Sequence, residues 1–264
     1  MGDLGKVAVI VPIIVIDEWL AEAVRSLLDQ QGVAVEVIVY HDGIEPDPTQ
    51  PWMADDRVTA WSRDTRGGLA VGLDHVIRRL DAPIIARLDG DDLARADRLL
   101  TQLEFLKTHP DVIVVGTIAH RIDANGAVTG TIGPAVGDDV RRDLLARNVL
   151  VHSSVMFRRS AYLEAGGFDL TSTNLEDYDL WMRMARLGPI AVIDEPLVSY
   201  RVSARQMSRG AAPRGGYMTA IWRSHAGLAR FLGVPWAWGW LLRARWRSAQ
   251  VLRYYRLRKF AYDR

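Results

Sequence analysis

The chain has 264 residues, about half of them hydrophobic and a quarter charged, with a formal net charge of +1. That length is enough to bury a hydrophobic core, and the composition is that of an ordinary globular protein. The chain contains no cysteine, which excludes disulfides and thiolate metal sites. No signal peptide is recognisable and no apolar run reaches the roughly 18 residues of a membrane span, so we expect a cytoplasmic protein.

The first half of the chain alternates strands and helices. Buried strands are predicted at 7–11, 35–40, 84–88 and 112–115, with a short one at 57–62, and helices at 18–31, 68–80 and 97–109. Strands separated by single helices predict a doubly wound, mostly parallel α/β sheet. Such sheets bind ligands at the carboxyl ends of their strands, where Asp42 and Asp89 are expected.

The second half is more mixed. The sequence predicts a hairpin turn at 125–126, helices at 139–147 and 162–168, strands at 149–157 and 191–193, and an extended segment at 196–200. We detect no internal repeat or low-complexity linker. The simplest division is therefore one compact domain over 1–210, followed by a C-terminal extension over 211–264.

Three acidic residues, Asp89, Asp91 and Asp92, follow the buried strand at 84–88. Carboxylates spaced in this way can hold a hard divalent cation together with water and substrate phosphates. The alternative is a surface turn that caps the next helix, since Asp favours such positions. The sequence alone leaves both interpretations open.

A second acidic pair, Glu176 and Asp177, falls in the first turn of a predicted helix. Acidic residues there stabilise the helix dipole without any further role, which is the simpler interpretation. The functional interpretation is a carboxylate general base that deprotonates a hydroxyl.

Weaker candidates flank these motifs. Asp42 could accept hydrogen bonds from a nucleotide, although a lone Asp after a strand is more often a turn residue. The pair Gly67 and Gly68 lacks the full dinucleotide fingerprint. His152 could contact the donor or the acceptor, but a single His entering a strand is more often structural.

A basic loop contains Arg201, Arg205 and Gln206. These side chains could close over the phosphates of a bound nucleotide. The alternative, a solvated basic loop, is equally compatible with the sequence.

Taken together, these segments resemble the family 2 glycosyltransferases with the GT-A fold. The segments that carry the resemblance are, in chain order, 9–12 (VIVP), 26–30 (SLLDQ), 36–43 (EVIVYHDG), 87–92 (RLDGDD), 152–159 (HSSVMFRR), 166–169 (GGFD), 176–181 (EDYDLW) and 195–201 (EPLVSYR). The resemblance covers roughly residues 7 to 208. His41 departs from the family pattern, which has Asp there, and Asp74 stands where Asn is common.

The resemblance implies an inverting transferase that uses a nucleotide-sugar donor, with residues 1–115 binding the donor and 116–210 the acceptor. Asp91 and Asp89 would bind Mg²⁺ or Mn²⁺ at the diphosphate, and Asp177 would act as the base with Glu176 in support. The implied donor-binding residues are Pro12, Asp42, Asp89 and Arg201. His152 and Trp181 are the candidate acceptor contacts. We expect the acceptor to be a cell-surface polysaccharide or glycolipid precursor.

Two other functions remain open at this stage. A nucleotidyltransferase that makes nucleotide-sugars shares the sheet and the metal, but it needs a Gly-rich phosphate loop, which the segment 13–17 (IIVID) does not supply. A non-catalytic carbohydrate-binding or scaffold protein could keep the fold, but loss of an acidic motif would be expected, and both motifs are present.

The C-terminal extension is strongly basic. Residues 241–264 contain seven Arg, one Lys and one Asp, so they carry +7 and the preceding residues −6. A predicted helical stripe consists of Leu242, Trp246, Ala249, Leu252 and Tyr255. A basic, aromatic, amphipathic helix favours attachment to an anionic membrane surface. The alternative is a helix packed on the catalytic domain or on a second subunit. The acidic body argues against nucleic-acid binding.

Overall fold

The computed structural model describes residues 5–133, 135–172, 174–203 and 216–262. The strands are β1 (Val7–Ile13), β2 (Val35–Asp42), β3 (Val58–Arg63), β4 (Ile84–Arg87), β5 (Leu93–Ala94), β6 (Val114–Ile122), β7 (Val128–Ile132), β8 (Met156–Arg158) and β9 (Ile190–Arg201). The helices are α1 (Glu18–Leu28), α2 (Leu69–Arg79), α3 (Arg98–Thr108), α4 (Arg141–Leu144), α5 (Arg159–Glu164), α6 (Glu176–Met184), α7 (Gly216–Phe231) and α8 (Trp236–Tyr262). Short 3₁₀ turns occur at Pro51–Ala54 and His152–Ser154.

The strands form one sheet in the order β3-β2-β1-β4-β8-β6-β9-β5, with β7 paired to β6. Strands β3, β2, β1 and β4 run parallel to one another. Beyond β4 the sheet is mixed, because β8 is antiparallel to both β4 and β6 while β9 is parallel to β6. The predicted α/β class with a doubly wound sheet is confirmed, and the parallel part is the half that the alternation of strands and helices predicted.

The hydrophobic core lies on both faces of this sheet. On β1, Ala8 and Ile10 belong to the cluster that includes the apolar faces of α2 and α6. Val7, Val9 and Val11 belong to the cluster on the other face, with α1 and α3. Successive strand residues point to opposite faces, so a strand buried on both faces must be apolar throughout.

The second half of the chain differs from the predictions in detail. The strand predicted over 149–157 is wrong for most of its length, because this segment contains the turn His152–Ser154 and only the short β8. The hydroxyl of Ser154 donates to the Thr117 carbonyl (3.1 Å) and accepts from the Thr117 amide (3.0 Å), taking the place of a strand ladder. The two extended segments predicted near the end of the domain are one continuous strand, β9.

The C-terminal extension forms two helices, and its predicted apolar stripe is divided between two environments. Trp246 is buried, with its ring 5.7 Å from that of Tyr178, and Leu242 packs partly against the core. Ala249 and Leu252 are exposed, while the side chain of Tyr255 lies outside the described residues. The first part of the stripe therefore packs on the domain, as the alternative interpretation of this helix expected, while its later part is exposed. In the described part of the chain, helices long and apolar enough to cross a membrane are absent.

Candidate active site

The carboxyl ends of β1, β2 and β4 meet at one edge of the sheet. Ile13 at the end of β1 is in register with His41 on β2, and Ile10 is in register with Arg87 at the end of β4. Because these strands are parallel, Asp42 and the acidic segment after β4 lie at the same edge, as the sequence predicted. This edge is the usual ligand-binding edge of a doubly wound sheet.

The acidic residues after β4 form one cluster. The carboxylate oxygens of Asp89, Asp91 and Asp92 that could act as ligands all lie within 4.8 Å of one another. Asp92 is fully buried, and its Oδ1 accepts a hydrogen bond from the Arg201 amide at 2.8 Å. Its Oδ2 is buried without a hydrogen-bond partner. A buried carboxylate oxygen of this kind is costly unless a cation or a proton satisfies it.

The electrostatics of the cluster favour a cation. Burial and the charge of Asp89 raise the pKa of Asp91 to about 6. Burial, followed by the charges of Asp89 and Asp91, raises the pKa of Asp92 well above its usual value. Like charges this close resist ionising together, and a divalent cation would relieve that repulsion. An all-oxygen set of carboxylates is the donor set that Mg²⁺ and Mn²⁺ prefer, so the residues present fit such an ion.

Two side chains hold Asp89 in the cluster. The Ser153 hydroxyl donates to Asp89 Oδ2 at 2.9 Å and accepts from the Asp89 amide at 3.1 Å. The guanidinium of Arg87 donates to Asp89 Oδ1. Arg87 is only 4% exposed, and its Nε and Nη1 are buried without hydrogen-bond partners. A buried cation with unused donors therefore lies directly beside the acidic cluster.

Arg201 holds the backbone of the acidic segment 89–92 in place. Its Nε donates to the Asp91 carbonyl at 2.8 Å, and its Nη2 forms an ion pair with Glu22 at 2.8 Å. The guanidinium also lies 5.1 Å from the ring centroid of Trp19. These contacts leave Arg201 only 1% exposed. The arrangement fixes the backbone that carries Asp91 and Asp92.

Asp42 organises the loop before α2. Its carboxylate is 5% exposed and accepts hydrogen bonds from the amides of Gly67 (2.7 Å) and Gly68 (2.8 Å). Gly68 has φ +90°, a conformation that side chains rarely adopt. Gly67 and Gly68, which lack the full dinucleotide-binding motif, thus bind the Asp42 carboxylate through their backbone amides.

The second acidic pair lies at the start of α6. Leu175, immediately before Glu176, has φ 57°, and no other described non-glycine residue has a positive φ. Such strain costs roughly 1–3 kcal/mol and tends to occur at functional sites. Asp177 Oδ2 accepts from Asn148 Nδ2 at 2.9 Å, and its Oδ1 accepts from the Tyr178 amide at 2.7 Å. The Asp177 carboxylate is therefore held in one orientation.

Burial raises the pKa of both acidic residues at the start of α6. Burial and the neighbouring charge of Asp177 raise the pKa of Glu176 to about 7. Burial raises the pKa of Asp177, while hydrogen bonds from Tyr178 and Asn148 and the charge of Arg87 oppose the rise. A carboxylate whose pKa is raised is a stronger base in its ionised form, so it accepts a proton more readily.

Comparisons with known proteins show which family the chain belongs to. The model of the glycosyl transferase family 2 matches residues 8–165, more than half of the chain. The chain is 32% identical over 197 residues to the putative glycosyltransferase EpsE of Bacillus subtilis, covering 71% of this chain and 69% of that protein. It is 26% identical over 216 residues to the O-antigen biosynthesis glycosyltransferase WbnJ of Escherichia coli, covering 79% and 84%.

The chain is a family 2 glycosyltransferase.

Another relative is the amylovoran biosynthesis glycosyltransferase AmsE of Erwinia amylovora, which is 24% identical over 202 residues and covers 73% of this chain and 74% of that protein. Among solved structures, residues 1–349 of S. aureus TarS in complex with UDP-GlcNAc superpose with a TM-score of 0.70 at 15% identity, covering 91% of this chain and 71% of that one. This likeness supports the fold of the glycosyltransferase.

The two residues predicted to contact the acceptor lie side by side. The ring of His152 meets that of Trp181 edge-on, with centroids 6.0 Å apart. Trp181 is fully buried in the core of this glycosyltransferase, so it has no exposed surface on which an acceptor could lie. Trp181 is therefore a core residue that packs against His152, and the prediction of a direct acceptor contact is not supported. Burial and the charge of Arg87 hold the pKa of His152 well below its usual value, which keeps the ring neutral.

The remaining residues of the predicted donor site differ in how far they are buried. Pro12 is half-buried at the end of β1, in register with Tyr40. His41, the departure from the family pattern, is fully buried, with its Nδ1 3.3 Å from the Trp61 carbonyl on β3. Arg205 and Gln206 lie outside the described residues.

Sequence reasoning missed three residues that this glycosyltransferase places against its acidic motifs: Arg87, Ser153 and Asn148. A charged residue ending an otherwise apolar strand was the available signal for Arg87. Asn148 carried no signal, because its partner Asp177 lies 29 positions away in the chain.

Proposed function

We propose that this glycosyltransferase transfers a sugar from a nucleotide-diphosphate sugar to a hydroxyl group of a polysaccharide or glycolipid precursor, with inversion at the anomeric carbon. The observation that carries the proposal is the pairing of two acidic sites with different chemistry. One is a carboxylate cluster suited to a cation, and the other is a single carboxylate oriented by an amide. The charges of Arg87 and Asp89 are close enough to act on Glu176, so the two sites are neighbours.

The donor is proposed to bind along the carboxyl edge of the parallel strands. Asp42 and Pro12 would contact the nucleoside, and Asp89 would contact it from the neighbouring strand end. TarS, whose fold is similar, has been solved with UDP-GlcNAc and with UDP. A uridine donor is therefore the first to test.

Asp91 and Asp89 would hold a Mg²⁺ or Mn²⁺ ion, which supplies positive charge for the diphosphate leaving group. Arg87 adds a fixed positive charge beside the same group. Ser153 and Arg201 keep the acidic segment in place so that little reorganisation is needed during the reaction.

Asp177 is proposed to take the proton of the acceptor hydroxyl. The acceptor oxygen then forms a bond to the anomeric carbon, and the bond from that carbon to the diphosphate oxygen breaks, with its electron pair leaving on the diphosphate. Attack from the face opposite the leaving group inverts the anomeric configuration. Glu176 lies beside Asp177 and would support it, since the charges of the two carboxylates act on each other.

The acceptor class follows from the relatives. AmsE and WbnJ are named for amylovoran and O-antigen biosynthesis, both pathways of polysaccharide assembly. We extend this class to the present chain and propose a lipid-linked acceptor at the cytoplasmic face of a membrane. The basic C-terminal helices support this location.

Calorimetry with a panel of UDP-, GDP-, dTDP- and CDP-sugars, with and without Mn²⁺, tests the proposal. We expect metal-dependent binding of one nucleotide class by the wild type and its loss in Asp91→Asn. Asp56→Asn, which changes an exposed carboxylate outside the site, is the matched control and should bind normally. Absence of binding for every donor by folded wild-type protein would favour a non-catalytic carbohydrate-binding module instead.

A further inference from the structure

Large apolar side chains are exposed where α7 turns into α8. The exposed fractions are 53% for Phe231, 84% for Trp236, 63% for Trp238, 56% for Trp240 and 49% for Leu241. We call these five residues the aromatic corner. Single exposed apolar residues are normal on a protein surface, but five large ones within eleven positions of the chain favour a contact site.

The backbone at the aromatic corner is well defined. Helix α7 ends at Phe231, and Gly233 in the turn that follows has a φ of +66°. The Val234 amide donates to the Ala229 carbonyl at 2.9 Å. Gly239 is buried against α7, where a β-carbon would lie 3.4 Å from that of Ala229. Leu232 and Val234 of this turn pack partly against the core, whereas the three tryptophans are exposed. Packing against the domain does not account for the three tryptophans.

The helices that carry the aromatic corner are uniformly basic. Residues 216–262 contain eight Arg and one Lys but no Asp or Glu. Arg245 and Arg247 are exposed on α8, and the Arg247 guanidinium lies 5.6 Å from the ring centroid of Trp222. Positive charge that no acidic residue of the same two helices balances, together with exposed indole rings, matches a surface that is anionic outside and apolar a few ångströms deeper.

We propose that the aromatic corner inserts into the interface of an anionic phospholipid surface while the arginines of α8 contact the lipid phosphates. Indole rings prefer the headgroup region of a bilayer because they are apolar with one polar N–H. The basic residues add electrostatic attraction that depends on salt. The inference deepens the proposed membrane location and rests on it, but it requires neither donor nor acceptor. It also replaces the predicted stripe, whose first part is packed on the domain, with a different set of residues.

Vesicle co-sedimentation of the full chain tests this inference. The probes are vesicles of phosphatidylcholine alone and of phosphatidylcholine mixed with phosphatidylglycerol. We expect the wild type to bind the mixed vesicles and to dissociate at high salt. The variant Trp236→Ser/Trp238→Ser/Trp240→Ser should bind at least about tenfold more weakly, and Arg245→Gln/Arg247→Gln should lose most of the preference for anionic lipid.

A matched control removes exposed apolar side chains elsewhere. Val128 and Leu170 are 62% and 51% exposed, so Val128→Ser/Leu170→Ser should bind vesicles like the wild type. Circular dichroism and donor binding establish that each variant is folded. These measurements also separate the two proposals, because donor binding can persist when vesicle binding fails.

Two results would overturn the inference. One is equal vesicle binding by the wild type and the triple Ser variant. The other is a wild-type dimer in light scattering that the triple Ser variant converts to a monomer, with no vesicle binding by either. The second result would assign the aromatic corner to another copy of the chain.

Discussion

The two acidic motifs of this glycosyltransferase are positioned by different means. The cluster of Asp89, Asp91 and Asp92 is crowded, and one of its buried oxygens has no partner. Asp177 instead receives two hydrogen bonds from neutral donors. In the first arrangement a repulsion between like charges remains that Arg87 offsets only in part. In the second, both oxygens of one carboxylate accept a hydrogen bond, which fixes its orientation. Residues of the same type thus acquire different chemistry from their neighbours.

Arg87 is the group that both motifs share. It donates to Asp89, and its charge lowers the pKa of Glu176 and Asp177 against the effect of burial. A fixed buried cation that acts on both acidic sites therefore opposes part of the rise in pKa that burial causes at Glu176 and Asp177.

The largest effect is expected for Asp177→Asn, which removes the proposed proton acceptor but retains the size of the side chain. The rate constant kcat should fall on the order of 10³-fold while metal-dependent donor binding is retained. Steady-state kinetics together with calorimetry measure the two properties separately.

Asp179→Asn is the contrasting variant, because Asp179 pairs with Arg183 and Ser224 in the interior. That variant should lower thermal stability and leave the chemistry of the folded enzyme unchanged. If Asp177→Asn lost donor binding as strongly as it lost kcat, this would contradict the proposal that donor binding and proton transfer belong to separate acidic motifs.

An intermediate effect is expected for Arg87. Arg87→Met should reduce kcat/KM about 10²-fold, because it removes the charge that both motifs share. Arg87→Lys keeps the charge but lacks the planar fork, so it should recover about tenfold of that loss. The informative readout is the pH profile: the acid limb of kcat should move to higher pH in Arg87→Met, because the opposing positive charge is gone. A purely structural role would lower stability without moving this limb.

The smallest effect concerns stability and pH. The pKa of Asp91 is raised to about 6 in the folded protein, so its contribution to stability is present at low pH and is lost as the pH rises through that value. A bound cation favours the ionised carboxylate and should offset this loss. We therefore expect Mn²⁺ to raise the melting temperature more at about pH 7.5 than at about pH 5. Differential scanning calorimetry with and without Mn²⁺ measures the change in melting temperature. Asp91→Asn should abolish this change at both pH values. An equal Mn²⁺ effect at both pH values in the wild type would contradict the assignment.

Much of the fold could be predicted from the sequence because its signals are local. The strands at β1, β2 and β4 are continuous apolar runs, and the helices between them have clear periodicity and end signals. These features place Asp42 and Asp89 at one edge of the sheet without any knowledge of tertiary contacts. The predicted strand over 149–157 failed because side-chain hydrogen bonds of Ser154 to a distant strand, β6, replace the regular pattern there.

By itself, the sequence determined the class of fold, the strand-end position of the acidic cluster and the place of Asp177 in the first turn of α6. The tertiary structure alone decided which groups surround those carboxylates. Ser153 meets Asp89 across 64 positions, and the Arg201 amide meets Asp92 across 109. The tertiary structure also decided that Trp246 is buried on the domain while the aromatic corner faces outward. The physical reason is that periodicity reports which face of a helix is apolar, whereas packing between distant segments determines what covers it.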